Sequence, residues 1–159
     1  MRCLFLRKVV AVKIGPHYYI TRVQFSCREM PEARYIKLLV DIGSTVTTLY
    51  AERIGISREI YEELEESEPS VVIGGEIIPR KLHDVTLVFM TSDGGYLPIY
   101  LEECDVVFVT EETIEDGVLG MDVLGVFRGW EATKSCCSGA GPTRLYIAGS
   151  QPRGGRGGR

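Results

Sequence analysis

With 159 residues, 45% apolar and 25% charged, the chain has the size and composition of one globular domain able to bury a real core. Its formal net charge of −4 argues against a domain-wide nucleic-acid surface. No stretch approaches the roughly 18 to 20 apolar residues that a membrane-spanning helix needs.

The N-terminal MRCLFLRKVVAVKIG is apolar in part, but Arg7, Lys8 and Lys13 interrupt it and no small-residue cleavage site follows. It reads as strand, not as a signal peptide, and a cytoplasmic location is the default expectation. VVAVKIG (9–15) and HYYITRVQFSC (17–27) are rich in β-branched and aromatic residues, with Gly15-Pro16 as the turn between two strands. Pro31-Glu32 ends the second, and RYIKLLVDIG begins a third. The near-continuous apolar run Ile36 to Val40 predicts burial on both faces there. TVTTLY continues as strand after Gly43.

In AERIGISREIYEELEESEPS (51–70), Ile54, Ile56, Ile60 and Leu64 can share one side of a helix whose start Gly55 interrupts. Glu59, Glu62, Glu63 and Glu66 then form a solvated face. VVIGGEIIPRKL has β-formers on both sides of Gly74-Gly75, a hairpin signature. DVTLVFM and YLPIYLEECDVVFV are two more strands around the turn TSDGG. After an acidic loop comes the apolar cluster GVLGMDVLGVF, and the last ordered elements are expected around EATKSCC and TRLYIAG. QPRGGRGGR cannot bury anything. The organisation expected is therefore one domain over 1–148 and a disordered Arg/Gly tail over 149–159. Scarce helix and frequent turns predict a mostly β barrel or sandwich.

The five cysteines, Cys3, Cys27, Cys104, Cys136 and Cys137, show no CxxC spacing, which argues against a zinc site or a secreted disulfide framework. Adjacent Cys136 and Cys137 could pair under oxidising conditions; buried or idle thiols are the plainer reading. His17 and His83 lack a partner arrangement in sequence and read as surface or hairpin residues. Neither metal nor cofactor is expected. Three arginines spaced by glycines in the tail can stack on bases and touch phosphates, though so short a tail gives little affinity.

One stretch carries chemistry: KLLVDIGSTVTTLY (37–50), where an apolar strand drives into Asp41, Gly43 and a series of hydroxyls. A plain turn is one reading. Asp93-Gly94-Gly95 has the same Asp-X-Gly spacing after polar Thr91-Ser92 and reads simply as a hairpin turn. A second reading is a phosphate loop, because DIGST resembles the first such loop of the actin-like kinase and ATPase superfamily. That fold needs a second lobe, which a chain of 159 residues cannot supply after Asp41.

The third reading takes three segments in order: LLVDIGST, the Gly74-Gly75 hairpin, and DGVLGMDVL. Together, over about residues 5 to 148, they resemble the retropepsin-like aspartic proteases, single-domain relatives of retroviral protease. The resemblance implies a mostly β acid-protease barrel with one short C-terminal helix and one possible helix after the active-site hairpin. It implies Asp41 as the catalytic residue in the loop Ile42, Gly43 and Ser44, and a flap at Gly74 and Gly75. It also implies a second motif, Val118-Leu119-Gly120, that leads into a helix over about Met121 to Phe127. Since the chain has one such motif, the enzyme implied is a homodimer in which two copies of Asp41 share a proton and activate water to hydrolyse a peptide or unfolded protein. Gly43 would let the backbone turn tightly, and Ser44 would bond the outer oxygen of Asp41. The flap would close over a substrate lying as an added strand. Asp116 and Asp122 are given no catalytic role, and Asp122 reads as structural. The chain departs from the family at Ile42, where Thr or Ser normally bonds the partner's loop. The alternative is thus a weakly active or inactive dimer of the same fold, serving as a binding or assembly module.

Overall fold

The structure, a computed structural model, describes residues 7–14, 18–72, 75–133 and 144–149. The expectations for the Gly15-Pro16 turn, His17, Gly74, Cys3, Cys136, Cys137 and the tail from residue 150 lie outside them.

Strands β1 (Arg7–Ile14), β2 (Tyr18–Ser26) and β3 (Arg34–Val40) run antiparallel, each beside the next. A short β4 (Thr48–Tyr50) leads into helices α1 (Ala51–Ile54) and α2 (Arg58–Glu63). A small hairpin, β5 (Ser70–Val72) and β6 (Gly75–Ile77), precedes a long one, β7 (Arg80–Met90) and β8 (Tyr96–Val107). Last come β9 (Gly117–Leu119), helix α3 (Met121–Leu124), β10 (Phe127–Thr133) and β11 (Arg144–Gly149).

Six strands close into a barrel in the order β2-β3-β9-β4-β8-β7, sealed by β2 pairing β7 from Val23↔Phe89 to Ser26↔Thr86. Strands β1, β11 and β10 extend the sheet outward from β2. Gly149, expected to open the tail, instead closes β11 opposite Arg7 and Phe127. The barrel interior holds Val23 and Phe25 of β2, Ile36 and Leu38 of β3, Leu87 and Phe89 of β7, and Leu119 and Leu124. Leu124 comes from α3, and the pairs on β2, β3 and β7 follow the period-2 alternation of half-buried strands. In β7 the inward set shifts from Val85, Leu87 and Phe89 to Leu82, and Asp84 at the shift has φ +51°. Aspartate tolerates that left-handed conformation better than most residues.

The helix expected over 51–70 is two short ones. Gly55, at φ +90°, ends α1, and Ile56 N–H folds back to Ala51 O at 2.8 Å. Ser57 then caps α2 by accepting from Ile60 N. Ile54 and Ile56 enter the core, whereas Ile60 faces water, so the four apolar residues do not share one side. The glutamates of this stretch are exposed as expected. TVTTLY is strand only from Thr48, because residues 44–47 bond to α3 and Gly120 instead of to a ladder. The second helix is also shorter than 121–127. Gly125 and Val126 turn back onto Met121 and Val123, and Phe127 starts β10 with its ring edge-on to Phe89. In the small hairpin Gly75 pairs with Val72, so Gly75 is the first residue of a strand, at φ +140°, and not part of the turn. Asp93-Gly94-Gly95 is the hairpin turn expected: Thr91 N–H reaches Gly95 O at 2.9 Å between β7 and β8. No helix of the described residues is long and apolar enough to cross a membrane.

Candidate active site

The barrel brings the two glycine motifs together through one short strand. β9 lies between β3 and β4, parallel to the first (Leu38↔Gly117 to Val40↔Leu119) and antiparallel to the second (Thr48↔Val118, Leu49↔Gly117). The loop joining β3 to β4 therefore arches over the end of β9, and Asp41 starts it with its N–H on Leu119 O at 3.1 Å. Gly120 is there because nothing larger fits: a Cβ would stand 2.4 Å from Val46 O and 2.9 Å from Thr47 N. Those are backbone atoms, which cannot move aside as a side chain could.

Within the loop, Gly43 N–H donates to Asp41 Oδ1 at 2.9 Å, a charge-assisted bond that orients the carboxylate. Gly43 sits in the tight turn that Ser44 N–H closes onto Asp41 O, though not in the left-handed region. Its lack of a side chain matters more, since a Cβ would lie 3.2 Å from Asp41 Oδ1. Ser44 differs from expectation. Its hydroxyl donates to Val46 O at 2.8 Å, and its link to Asp41 is its backbone N–H on Asp41 O at 3.2 Å. The loop's own turn satisfies Ser44 locally. Asp41 is partly exposed, and Ile42 beside it is 64% exposed.

Two residues carry the loop from behind. Buried Thr47 donates its hydroxyl to Asp122 Oδ1 at 2.7 Å and accepts from Gly120 N at 3.0 Å. Asp122 Oδ1 also receives Thr47 N–H and Val123 N–H. Asp122 is thus structural, as expected, but as a clip between α3 and the loop, while Gly120 holds the N-cap position. Met121 N–H to Ser44 O and Asp122 N–H to Thr45 O complete the attachment. Asp116 is a second staple: its carboxylate takes Lys37 N–H and the Arg53 guanidinium, and its backbone bonds Lys37 and Tyr50. Sequence reasoning missed Thr47; it stands among other hydroxyls, between Val46 and Thr48, and nothing local set it apart.

Asp41 opens onto a cleft of about 430 Å³, lined also by Ser44, Asp105, Val107, Val71 and Ile77. The last two belong to the β5–β6 hairpin, which among the described residues pairs with no other strand and carries Val71 at 84% exposure. Its base is tied to the barrel by Ser67 N–H on Pro79 O and Lys81 N–H on Glu65 O, both 2.8 Å. Tyr50 lines the same cleft; burial, then Glu115, then Asp41 push its phenol's pKa up, so it stays a neutral donor.

His83 is not the partnerless residue expected. It is half-buried, with Nδ1 2.7 Å from Glu29 Oε1 and Nε2 3.4 Å from Glu65 Oε2. The sequence distance between these residues hid the arrangement. Cys27 and Cys104 are buried free thiols; burial, the largest cause, pushes Cys27 up to about 11 and Cys104 higher still, so both are unreactive. Among the described residues no group of three or more His, Cys, Asp or Glu is placed to hold a metal ion.

No family model and no curated protein matches the chain. Among solved structures it is similar to a retropepsin-like aspartic protease from Rickettsia conorii, with a TM-score of 0.53 at 16% identity. The match covers 91% of this chain and 93% of that one. Together with the closed barrel and the loop arched over β9, it shows that the chain has the mostly β retropepsin-like fold.

Proposed function

We propose that the chain is an aspartic endopeptidase that works as a homodimer, each subunit giving Asp41 to a shared dyad. The observation that carries the reading is a partly exposed carboxylate, oriented by Gly43 N–H, at a peptide-sized cleft roofed by an otherwise unpaired hairpin. Hydrolysis by two carboxylates needs one as base toward water and one as acid toward the carbonyl oxygen. One chain offers a single Asp41, so the second comes from a second copy across a two-fold axis. Exposed Ile42 gives that contact an apolar patch beside each carboxylate. An extended peptide or unfolded protein segment then lies between the loop and the β5–β6 hairpin.

The second reading, a dimer of this fold that binds without cutting, is favoured by Ile42 itself, which offers no hydroxyl to the partner's loop. The experiment is cleavage of a diverse unfolded-peptide mixture from about pH 3 to about pH 8, the range over which carboxylate dyads titrate. Wild type is compared with Asp41→Asn at matched concentration. Cutting by wild type alone, blocked by a statine-type transition-state mimic, supports the protease. A folded wild-type dimer that cuts nothing at any pH refutes it in favour of the binding module.

A further inference from the structure

We propose that Asp105 makes this cleft select substrates bearing an arginine or lysine side chain; the inference rests on the protease reading and adds a substrate class to it. Along β8, Cys104 and Val106 are buried in the core, so the alternation of the strand turns Asp105, like Val107 beyond it, to the cleft. There Asp105 pairs in register with Thr48 of β4, which in turn faces Val118 of the second motif. Its companions in the cleft are apolar or hydroxyl-bearing. Besides Asp41 it is the sole charged residue among the described lining residues, and no lysine or arginine is among them.

Part of that carboxylate is left open by its neighbours. Lys81, its cross-strand partner on β7, feels the charge of Asp105, but the ammonium makes its ion pair with Glu103, 3.2 Å from Oε2. Ser67 Oγ donates to Asp105 Oδ1 at 2.9 Å, and among the described residues no side chain bonds Oδ2. A substrate lying as an added strand presents alternate side chains to one face. One of them reaches Asp105, and a guanidinium or ammonium there meets an ionised acceptor between apolar walls, whereas a glutamate meets like charge. The Ser67 bond also braces the base of the hairpin, a purely structural role that asparagine preserves, because its amide oxygen still accepts.

The test uses the full chain and a series of extended peptides, identical except for Arg, Lys, Gln or Glu at successive positions. Cleavage is measured for wild type and Asp105→Asn, and binding by fluorescence anisotropy for Asp41→Asn and for Asp41→Asn combined with Asp105→Asn. At one position, Arg and Lys peptides are expected to be preferred over Gln by about fivefold or more, in kcat/KM and in affinity. Asp105→Asn should erase that preference, read as the ratio of Arg or Lys peptide to Gln peptide within each protein. Cleavage without a charge preference, or a preference that survives Asp105→Asn, overturns the inference and leaves the protease standing. If nothing is cut but Asp41→Asn binds basic peptides in an Asp105-dependent way, the protease reading falls and the ligand preference stands. Neither cleavage nor charge-selective binding removes both.

Discussion

Replacing Thr47 by valine removes one oxygen and leaves the side chain's shape nearly intact. Thr47 is 1% exposed, so no water replaces what is lost. Its hydroxyl gives one bond to the Asp122 carboxylate, at 2.7 Å, and receives one from Gly120 N–H, at 3.0 Å. A bond to a charged group contributes about 1.5–3 kcal/mol, and a buried N–H left without an acceptor costs about 1–3 kcal/mol. Asp122 is itself exposed, and solvent screens its charge, so the lower parts of both ranges apply and the expected loss is about 2–3 kcal/mol. Urea unfolding followed by circular dichroism, at fixed protein concentration, reads it as a shifted midpoint with unchanged slope. Combining Thr47→Val with Asp122→Ala should be less damaging than the sum, since both remove the same bond. A loss below about 0.5 kcal/mol, the range of an ordinary surface change, would refute the claim that this clip holds the loop.

Gly120→Ala should be worse than Thr47→Val, costing about 3 kcal/mol or more, because its methyl would meet Val46 O at 2.4 Å; thermal melts rank the two. Ile42→Asp should change subunit stability by less than about 0.5 kcal/mol, since Ile42 is 64% exposed, yet shift sedimentation toward monomer. Burial acts to raise the pKa of Glu29, but the bonds from the His83 ring and backbone outweigh it and the net shift is downward. A carboxylate held low stabilises the fold above its unfolded pKa, near 4.3, and loses that contribution as pH falls through the folded value. Melting temperature should therefore drop with acidification below that region, and Glu29→Gln should flatten the drop; an unaltered slope counts against the Glu29–His83 contact.

What was legible in the sequence was whatever depends on local periodicity. The alternation of Val23 and Phe25 and of Val85, Leu87 and Phe89 fits strands, and Asp-Gly spacing marks the 91–95 turn. The two halves of the site were legible separately, as Asp41 to Ser44 and Val118 to Gly120. The misreadings arise where long-range bonds compete with local ones. Residues 44–47 carry β-formers, but the carbonyls of Ser44 and Thr45, and Thr47, are claimed by Met121, Asp122 and Gly120 from more than seventy positions away. Ser44 was expected to serve Asp41, yet Val46 O lies closer along the turn. His83 finds Glu29 because β7 closes the barrel onto β2, and Glu65 because the chain before the small hairpin runs beside the start of β7. Register across a barrel is a property of the whole sheet, and no local window contains it.

Ile42 bears differently on assembly and on chemistry. Burying an exposed isoleucine against its mate returns about 1–2 kcal/mol per copy, allowing for the part already covered. The hydrogen bond that a hydroxyl there would make contributes about 1 kcal/mol net. Apolar pairing of two Ile42 side chains therefore matches or exceeds the polar contact it replaces, and the residue does not by itself weaken a dimer. Its effect on catalysis would have to act through the position of Asp41. That position rests on Asp41 N–H to Leu119 O, Gly43 N–H to Asp41 Oδ1, and the Thr47–Asp122 clip behind the loop. None of these bonds uses an atom of the Ile42 side chain. The scaffold of the carboxylate is thus internal to one chain, and an isoleucine at position 42 is compatible with the proposed dyad.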